Sequence, residues 1–212
     1  MITPKPELTQ RQVNALVTKD KLFKTALKLF ASYGYENVTI DTIAHHSGTA
    51  KGSFYTHFKS KEHIMLEQFK QIDANYEQWF ANFNPNAIAI DQLRSFVECV
   101  TNYSSNVLGL DILKIVFTSQ ISLGSRVPKL LADENRPYYK IMSTIIRYGQ
   151  EKNEFRNDFS DIELARVIAR WIRSLVYDWC LLDGQFDLVK EAQNNFLFIS
   201  AMMVVAIPPD KN

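Results

Sequence analysis

The sequence predicts an all-α protein, in which an N-terminal three-helix domain precedes a larger helical domain and the helices number about nine. Only seven glycines and seven prolines occur in 212 residues, which leaves little room for β-hairpin turns. No segment shows sustained alternation of apolar and polar residues, the period of a half-buried strand. Apolar residues instead recur three and four positions apart, the period of an amphipathic helix.

The first predicted helix follows a short polar arm and ends at Gly34. Its start is placed either near Thr9 or only at Thr18. One apolar stripe runs along this helix, made of Val13, Leu16, Val17, Phe23, Ala26, Leu27, Phe30 and Tyr33.

Two short helices separated by a glycine-containing turn come next. Thr39 opens a helix to about His46, with Asp41 in its first turn, where a negative side chain suits the helix dipole. Gly48 ends that helix, and the second one covers about 50–58. These dimensions are typical of a helix-turn-helix. The side chains predicted to pack the two helices together are Ile40, Ile43, Ala44, Phe54 and Phe58.

The remaining helices are predicted from apolar periodicity and cap residues. Ser60 caps a long helix, and Pro128 and Pro137 suit first-turn positions. Ser160 with Glu163 forms a capping box, and Asp187 caps the last helix. The predicted ranges are about 61–84, 87–107, 111–121, 126–134, 137–153, 160–182 and 187–206.

Charge is distributed unevenly along the chain. Residues 1–61 carry nine Lys and Arg against four Asp and Glu, a formal charge of +5, whereas the rest of the chain carries −4. This asymmetry predicts a polyanion-binding N-terminal domain on a neutral-to-acidic body.

Cysteine content and hydropathy predict a cytoplasmic protein that does not associate with a membrane. Two cysteines make no disulfide framework, and the first twenty residues are too polar for a secretory signal. The longest apolar run, Phe196–Ile207, is interrupted by Ser200 and is shorter than the roughly 20 residues that a spanning helix needs.

Enzyme, metal and cofactor sites find little support in the sequence. The four histidines show neither HExxH nor zinc-finger spacing, and no cysteine lies near them. There is no G-x-S-x-G and no glycine-rich phosphate loop. We therefore expect no metal, no cofactor and no catalytic residues. An all-helical enzyme that uses unfamiliar residues, and a helical adaptor that binds protein, stay open as alternatives.

Several stretches between residues 19 and 66 form one recognisable pattern: Ala26 with Leu29-Phe30 and Tyr33-Gly34-Tyr35, then 39–44, 47–58 and Ser60-Lys61-Glu62. In the order and spacing of these stretches the sequence resembles the tetracycline-repressor (TetR) family of regulators. One departure is Thr49, in the turn, where the family usually has an apolar residue such as Val. We expect this threonine to alter turn packing or to add a phosphate contact.

The resemblance implies specific contacts with a double-stranded DNA operator. It implies that Thr39, Tyr55 and Lys61 bind the DNA backbone. Lysine at position 51 can donate to guanine O6 or N7, and hydroxyls can contact phosphates or base edges. The turn and recognition-helix residues that face the major groove by this resemblance are Thr49, Ala50, Lys51, Gly52, Ser53, Thr56 and His57.

The same resemblance implies a transcriptional regulator that responds to a small molecule. We expect an N-terminal arm and DNA-binding domain over 1–60, and a ligand-binding and dimerisation domain over 61–212. A repressor that binds a palindromic operator as a dimer, and is released by its effector, is favoured. An activator, or a repressor that needs a corepressor, is the alternative.

The last two predicted helices carry apolar residues on more than one face. A helix that is apolar on several sides must be covered on several sides, which a second copy of the chain achieves through a two-fold interface. The alternative is that both helices lie at the centre of a larger core, and the family resemblance favours the dimer. The predicted interface consists of Ala169, Ile172, Val176, Trp179, Phe196, Ile199 and Met203.

The middle helices combine aromatic residues with scattered polar ones. Such a mixture suits a mostly apolar ligand pocket and equally suits a well-filled core. The family resemblance favours the pocket, for which we predict Phe96, Tyr103, Phe117 and Trp171 as lining residues.

Overall fold

The structure, a computed structural model, describes residues 9–122 and 128–204, and every regular element in these ranges is a helix. The predicted all-α class is therefore confirmed. The chain divides into two compact units, Met1–Gln68 and Phe69–Asn212. The break falls inside a continuous helix, beyond residue 60, where the sequence places the domain boundary.

The N-terminal unit contains α1 (Gln10–Tyr33), α2 (Ile40–His46), α3 (Lys51–His57) and the first turns of α4 (Lys61–Phe80). Of the two predicted starts for α1, the structure takes the earlier. Thr9 caps the helix by accepting from the backbone N–H of Gln12, whose side chain accepts in return from the Thr9 backbone. At the other end Gly34, with φ of +79°, donates to the carbonyl of Phe30.

The apolar stripe of α1 is buried along only part of its length. Between Leu22 and Phe30 its large apolar residues are buried. Val13, Leu16 and Val17 in the first turns are exposed. The first half of α1 therefore owes its helical form to local capping more than to packing.

The core of the N-terminal unit lies between α1, α2 and α3. Ile43 and Ala44 of α2 are buried, as are Phe54 and Phe58, whose ring centroids lie 5.7 Å apart. The predicted helix-turn-helix core is thus present, except that Ile40 is only partly buried.

The C-terminal unit contains the rest of α4 and five further α-helices: α5 (Ala89–Asn102), α6 (Gly109–Ser122), α7 (Pro137–Glu151), α8 (Asp161–Leu181) and α9 (Leu188–Met203). A π-helical turn, Tyr103–Leu108, lies between α5 and α6. Helix α7 packs on α5 and α8, and α9 packs on the same two helices.

The helix-start residues predicted for α7, α8 and α9 are confirmed, whereas Pro128 begins no α-helix. Ser160 and Glu163 form the reciprocal capping box of α8, Asp187 caps α9, and Pro137 occupies the first turn of α7. Phe155 packs against Gly149, where a β-carbon would lie 2.1 Å from the ring. Because Gly149 has no side chain, the loop that joins α7 to α8 can lie close against α7.

The predicted helix over 126–134 is wrong within the described residues. Only a three-residue 3-10 turn, Leu130–Ala132, forms there. Asp133 accepts hydrogen bonds from the backbone and side chain of Asn135, and such local bonds compete with a helix. The ends of two predicted elements, residues 126–127 and 205–206, lie outside the described residues.

Candidate DNA-binding surface and effector cavity

Helix α3 presents one polar face and buries the opposite one. Lys51, Gly52 and Thr56 are exposed, and so is Tyr55. Phe54 is fully buried, which fixes the rotation of the helix. Of the other predicted contact residues, the exposed ones are Thr39 and Ala50, and the half-buried ones are Thr49, Ser53, His57 and Lys61.

Lys51 forms an ion pair across the helix-turn-helix. Its Nζ lies 2.8 Å from Oδ2 of Asp41 on α2, and both side chains are more than half exposed. The hydrogen bond to Asp41 raises the pKa of Lys51. The ammonium therefore stays charged at neutral pH, and a weak exposed pair of this kind is readily exchanged for a DNA contact.

Lys61 has a local role that the sequence did not indicate. Its Nζ donates to the carbonyls of Tyr35 and Val38, at 2.9 and 2.7 Å, and lies 4.6 Å from the centre of the Tyr35 ring. These contacts attach the loop that precedes α2 to the N-terminus of α4. Thr39 follows this loop and caps α2 by accepting from the backbone N–H of Thr42 at 3.0 Å.

The hydroxyl of Thr49 is used inside the turn. Ser47 donates to the carbonyl of Ala44 at 2.9 Å, and the hydroxyls of Ser47 and Thr49 lie 2.9 Å apart. A serine hydroxyl has one hydrogen, so Thr49 is the donor of the second bond. Of the two expectations for this residue, the geometry agrees with turn packing and leaves the hydroxyl no proton for a phosphate.

Within the described residues no cluster of three His, Cys, Asp or Glu side chains has the placement of a metal site. No helix in those ranges is long and apolar enough to cross a membrane.

The C-terminal unit encloses a cavity of about 70 Å³ between α4, α6, α7 and α8. Its walls are largely apolar, with Phe69 and Ile72 from α4, Leu113 and Val116 from α6, and Ile172 from α8. Five polar side chains also line it: Tyr76, Ser104, Arg136, Tyr138 and Arg173.

Of the four predicted pocket residues, only Phe117 lines this cavity. Phe96 is fully buried, with ring centroids of Tyr76 and Trp79 at 5.7 and 5.0 Å, and so belongs to the packed core. Tyr103 and Trp171 are half-buried and do not line the cavity. Aromatic residues at helical spacing indicate burial, and they do not distinguish a core from a pocket wall.

The sequence pattern did not indicate which polar side chains line the cavity. Arg136 is 7% exposed and donates from Nε and Nη2 to the carboxylate of Asp73, at 2.8 to 3.2 Å. Its Nη1 donates to the carbonyl of Leu130 at 2.8 Å. Burial raises the pKa of both Tyr76 and Tyr138, so both are neutral phenols at physiological pH.

Most residues predicted for the dimer interface pack inward within a single chain. Ala169, Ile172 and Val176 are buried in a single chain and line the cavity. Trp179 packs over Gly184 and donates from Nε1 to the carbonyl of Phe186 at 2.9 Å. On α9 the predicted contacts are also buried within one chain, namely Phe196, Ile199 and Met203.

The opposite faces of α8 and α9 carry large exposed apolar side chains. Phe198 is 72% exposed and Leu197 is 68% exposed. We call this region the α8–α9 surface and define it by Val167, Leu181, Leu197, Phe198 and Met202.

Comparison with known proteins gives a consistent result. Residues 22–67 match the family model of bacterial regulatory proteins of the tetR family. The HTH-type transcriptional regulator TcmR of Streptomyces glaucescens is 38% identical over 182 residues, which span 83% of this chain and 78% of TcmR. The fatty acid metabolism regulator protein of Bacillus subtilis is 26% identical over 176 residues, spanning 80% of this chain and 87% of that protein.

A solved structure shares the fold. The crystal structure of the transcriptional regulator FadR from Bacillus subtilis, in complex with stearoyl-CoA, has a TM-score of 0.70 at 21% sequence identity. The match covers 87% of this chain and 98% of that one. The family model, the TcmR similarity and the exposed polar face of α3 agree, and the chain belongs to the TetR family of DNA-binding transcriptional regulators.

Proposed function

We propose that the protein is a repressor that binds a palindromic operator as a homodimer and leaves it when a small molecule enters the cavity. The observation that carries this proposal is the composition of the cavity wall. Phe69, Ile72 and Tyr76 line the cavity and belong to α4. The same helix begins at Lys61, directly after the helix-turn-helix. A ligand in the cavity therefore touches the helix that leads to the DNA-binding unit.

The DNA contacts are divided between base recognition and backbone binding. Lys51 and its neighbours on the exposed face of α3 read base edges, since a lysine donates to guanine in the major groove. Thr39, Tyr55 and Lys61 bind the phosphate backbone, which sets affinity and salt dependence.

A second copy of the chain covers the α8–α9 surface. Exposed side chains as large as Phe198 and Leu197, on a helix that also packs inward, are typical of an interface. A two-fold interface pairs each surface with its equivalent. It also supplies two recognition helices, which must lie about 34–36 Å apart to enter successive major grooves.

The small volume of the cavity supports a mechanism for release. At about 70 Å³ it lies well below the roughly 300–1,000 Å³ of typical ligand sites. An effector must therefore move the helices that form the walls, α4 among them. Reversal of a 99:1 preference for the DNA-binding state requires about 5.5 kcal/mol of differential affinity. The fold relative solved in complex with stearoyl-CoA supports this, because a protein of the same fold binds a ligand with a long apolar chain.

Selection of random duplexes with the purified full-length protein tests the proposal. We expect enrichment of a palindrome, bound more than about 1,000-fold more tightly than random sequence. A protein-binding adaptor predicts instead that every duplex binds at the non-specific level, about 10⁻⁴–10⁻⁶ M at physiological salt. Addition of a metabolite extract to the selected complex then tests release.

A further inference from the structure

The polar groups of the cavity carry unequal charge. Arg136 is neutralised by the bidentate contact with Asp73. Arg173, which also lines the cavity, donates from Nη1 to the carbonyl of Leu131 and pairs with no carboxylate among the described residues. A carbonyl stabilises a guanidinium only partly, because it offers no full negative charge. The cavity lining therefore carries one positive charge without a counter-charge.

Hydroxyl donors lie close to this positive charge. Tyr76 and Tyr138 line the same cavity, and neither hydroxyl forms a hydrogen bond within the described part of the chain. The positive charges of Arg173 and Arg136 both act on the Tyr138 phenol and oppose the rise in its pKa that burial causes. Arg173 and Tyr138 thus supply a cation and a hydroxyl donor to the lining of one cavity.

Arg173 also lines a groove beside the cavity. This shallow groove shares Phe117, Leu131 and Arg173 with the cavity. The groove adds Arg170, which is exposed, and Tyr177. Arg173 therefore lines both the largely apolar cavity and a groove that carries an exposed arginine.

We propose that the effector is an amphiphile with one apolar chain and an anionic head, and that Arg173, which lines both the cavity and the groove, binds the head. The Tyr138 hydroxyl assists on the cavity side and Arg170 on the groove side. This inference rests on the proposed function and specifies the ligand class of the same cavity. The chain lies among the apolar walls formed by Leu113, Val116 and Ile172. Cationic amphiphiles are excluded, because they place a second positive charge beside Arg173 in a site of low polarity.

Two sources supply such an anion, and the groove distinguishes them. A free carboxylate needs only Arg173 and the phenol. An acyl-CoA thioester has no carboxylate, and its phosphates lie outside the cavity in the groove, where Arg170 is the exposed cation. Both ligands have an apolar chain and an anionic head. They differ in the arginine that contributes most to binding: Arg173 for the carboxylate, and Arg170 for the phosphates.

Calorimetric titration of the full-length protein with four matched ligands tests the proposal: octanoate, octanoyl-CoA, octanol and octylamine. We expect at least one of the two anions to bind ten times or more tighter than octanol, and octylamine to bind weakest. Replacement of Arg173 by Gln removes the preference for octanoate over octanol. Arg170→Gln weakens octanoyl-CoA alone.

The controls separate this inference from a folding defect and from the proposed function. Arg147→Gln alters an exposed arginine that does not line the cavity, and leaves every affinity unchanged. Binding of octanol or octylamine as tight as that of both anions overturns the inference, as does no binding of either anion. If an anion binds as expected yet leaves operator affinity unchanged, the proposed function fails and the ligand class stands.

Discussion

The guanidinium of Arg136 and the carboxylate of Asp73 form a buried ion pair between the N-terminus of α7 and the middle of α4, with Nη2 and Oδ1 2.8 Å apart. The Arg136 side chain is 8% exposed and that of Asp73 is 17% exposed. The guanidinium also lies 4.7 Å from the centre of the Phe69 ring. This pair joins the two helices at the edge of the cavity.

Removal of one partner of this pair destabilises the C-terminal unit. We expect Asp73→Ala to lower the free energy of unfolding by about 3–5 kcal/mol, because it leaves a buried guanidinium without its counter-ion. The double variant with Arg136→Met recovers much of this loss, since a buried pair replaced by apolar groups is often neutral. Urea denaturation of the unaltered protein and the two variants measures both effects. Equal losses for the single and the double variant contradict the expectation.

Lys51 is expected to determine sequence preference. Lys51→Ala weakens binding to the selected palindrome by about tenfold to hundredfold and relaxes the base preference at one position of each half-site. A mobility-shift titration with base-substituted duplexes measures this. Lys140→Ala, which removes an exposed lysine of α7, is the matched control and leaves affinity unchanged. An unaltered base preference in Lys51→Ala shows that another residue reads the operator.

Lys61 is expected to affect all DNA sequences alike. Lys61→Met removes a cation and the two hydrogen bonds that Lys61 donates to the carbonyls of Tyr35 and Val38. Affinity falls for the palindrome and for random duplex by the same factor, and the slope of log affinity against log salt decreases in magnitude by about 0.9. Titrations at several salt concentrations test this. A change in base preference is the contrary result.

Thr49 is expected to matter little for DNA affinity. Its hydroxyl donates to Ser47 inside the turn, so Thr49→Val, which keeps the shape, changes operator affinity by no more than about twofold. Ser47→Ala provides the contrast, because it removes a fully buried hydroxyl and the acceptor for Thr49. We expect that variant to lower the melting temperature of the N-terminal unit, measured by circular dichroism. A large loss of affinity in Thr49→Val implies a direct phosphate contact.

The α8–α9 surface is expected to hold the dimer together. Phe198→Asp places a charge at the most exposed position of this surface and gives a folded monomer at micromolar concentration. Tyr33→Asp, at an exposed aromatic residue of α1, leaves the dimer intact. Sedimentation velocity and circular dichroism report assembly and folding separately. A dimeric Phe198→Asp protein contradicts the assignment of the surface.

The N-terminal unit could be predicted in detail because its signals are local. Thr39 caps α2, Gly48 ends it with φ of +62°, and the spacing of Phe54 and Phe58 fixes the inner face of α3. Each of these signals acts within a few residues and depends on no distant contact.

The C-terminal unit could be predicted only as a set of helices. Apolar residues on α8 form two faces, and periodicity does not say whether α6 and α7 or a second chain covers Ile172 and Val176. Likewise, Arg136 and Arg173 become cavity residues through contacts with Asp73 and Leu131, which lie far away in the sequence. The positions of such groups depend on tertiary packing, which the sequence pattern does not contain.

The most direct test of the account is the stoichiometry of the complex with the selected palindrome. Sedimentation equilibrium of the full-length protein with that duplex measures how many chains bind and whether both half-sites are needed. The account predicts two chains on the palindrome, and binding at the non-specific level when one half-site is scrambled. A single chain on each duplex, bound equally well to the scrambled sequence, would contradict it.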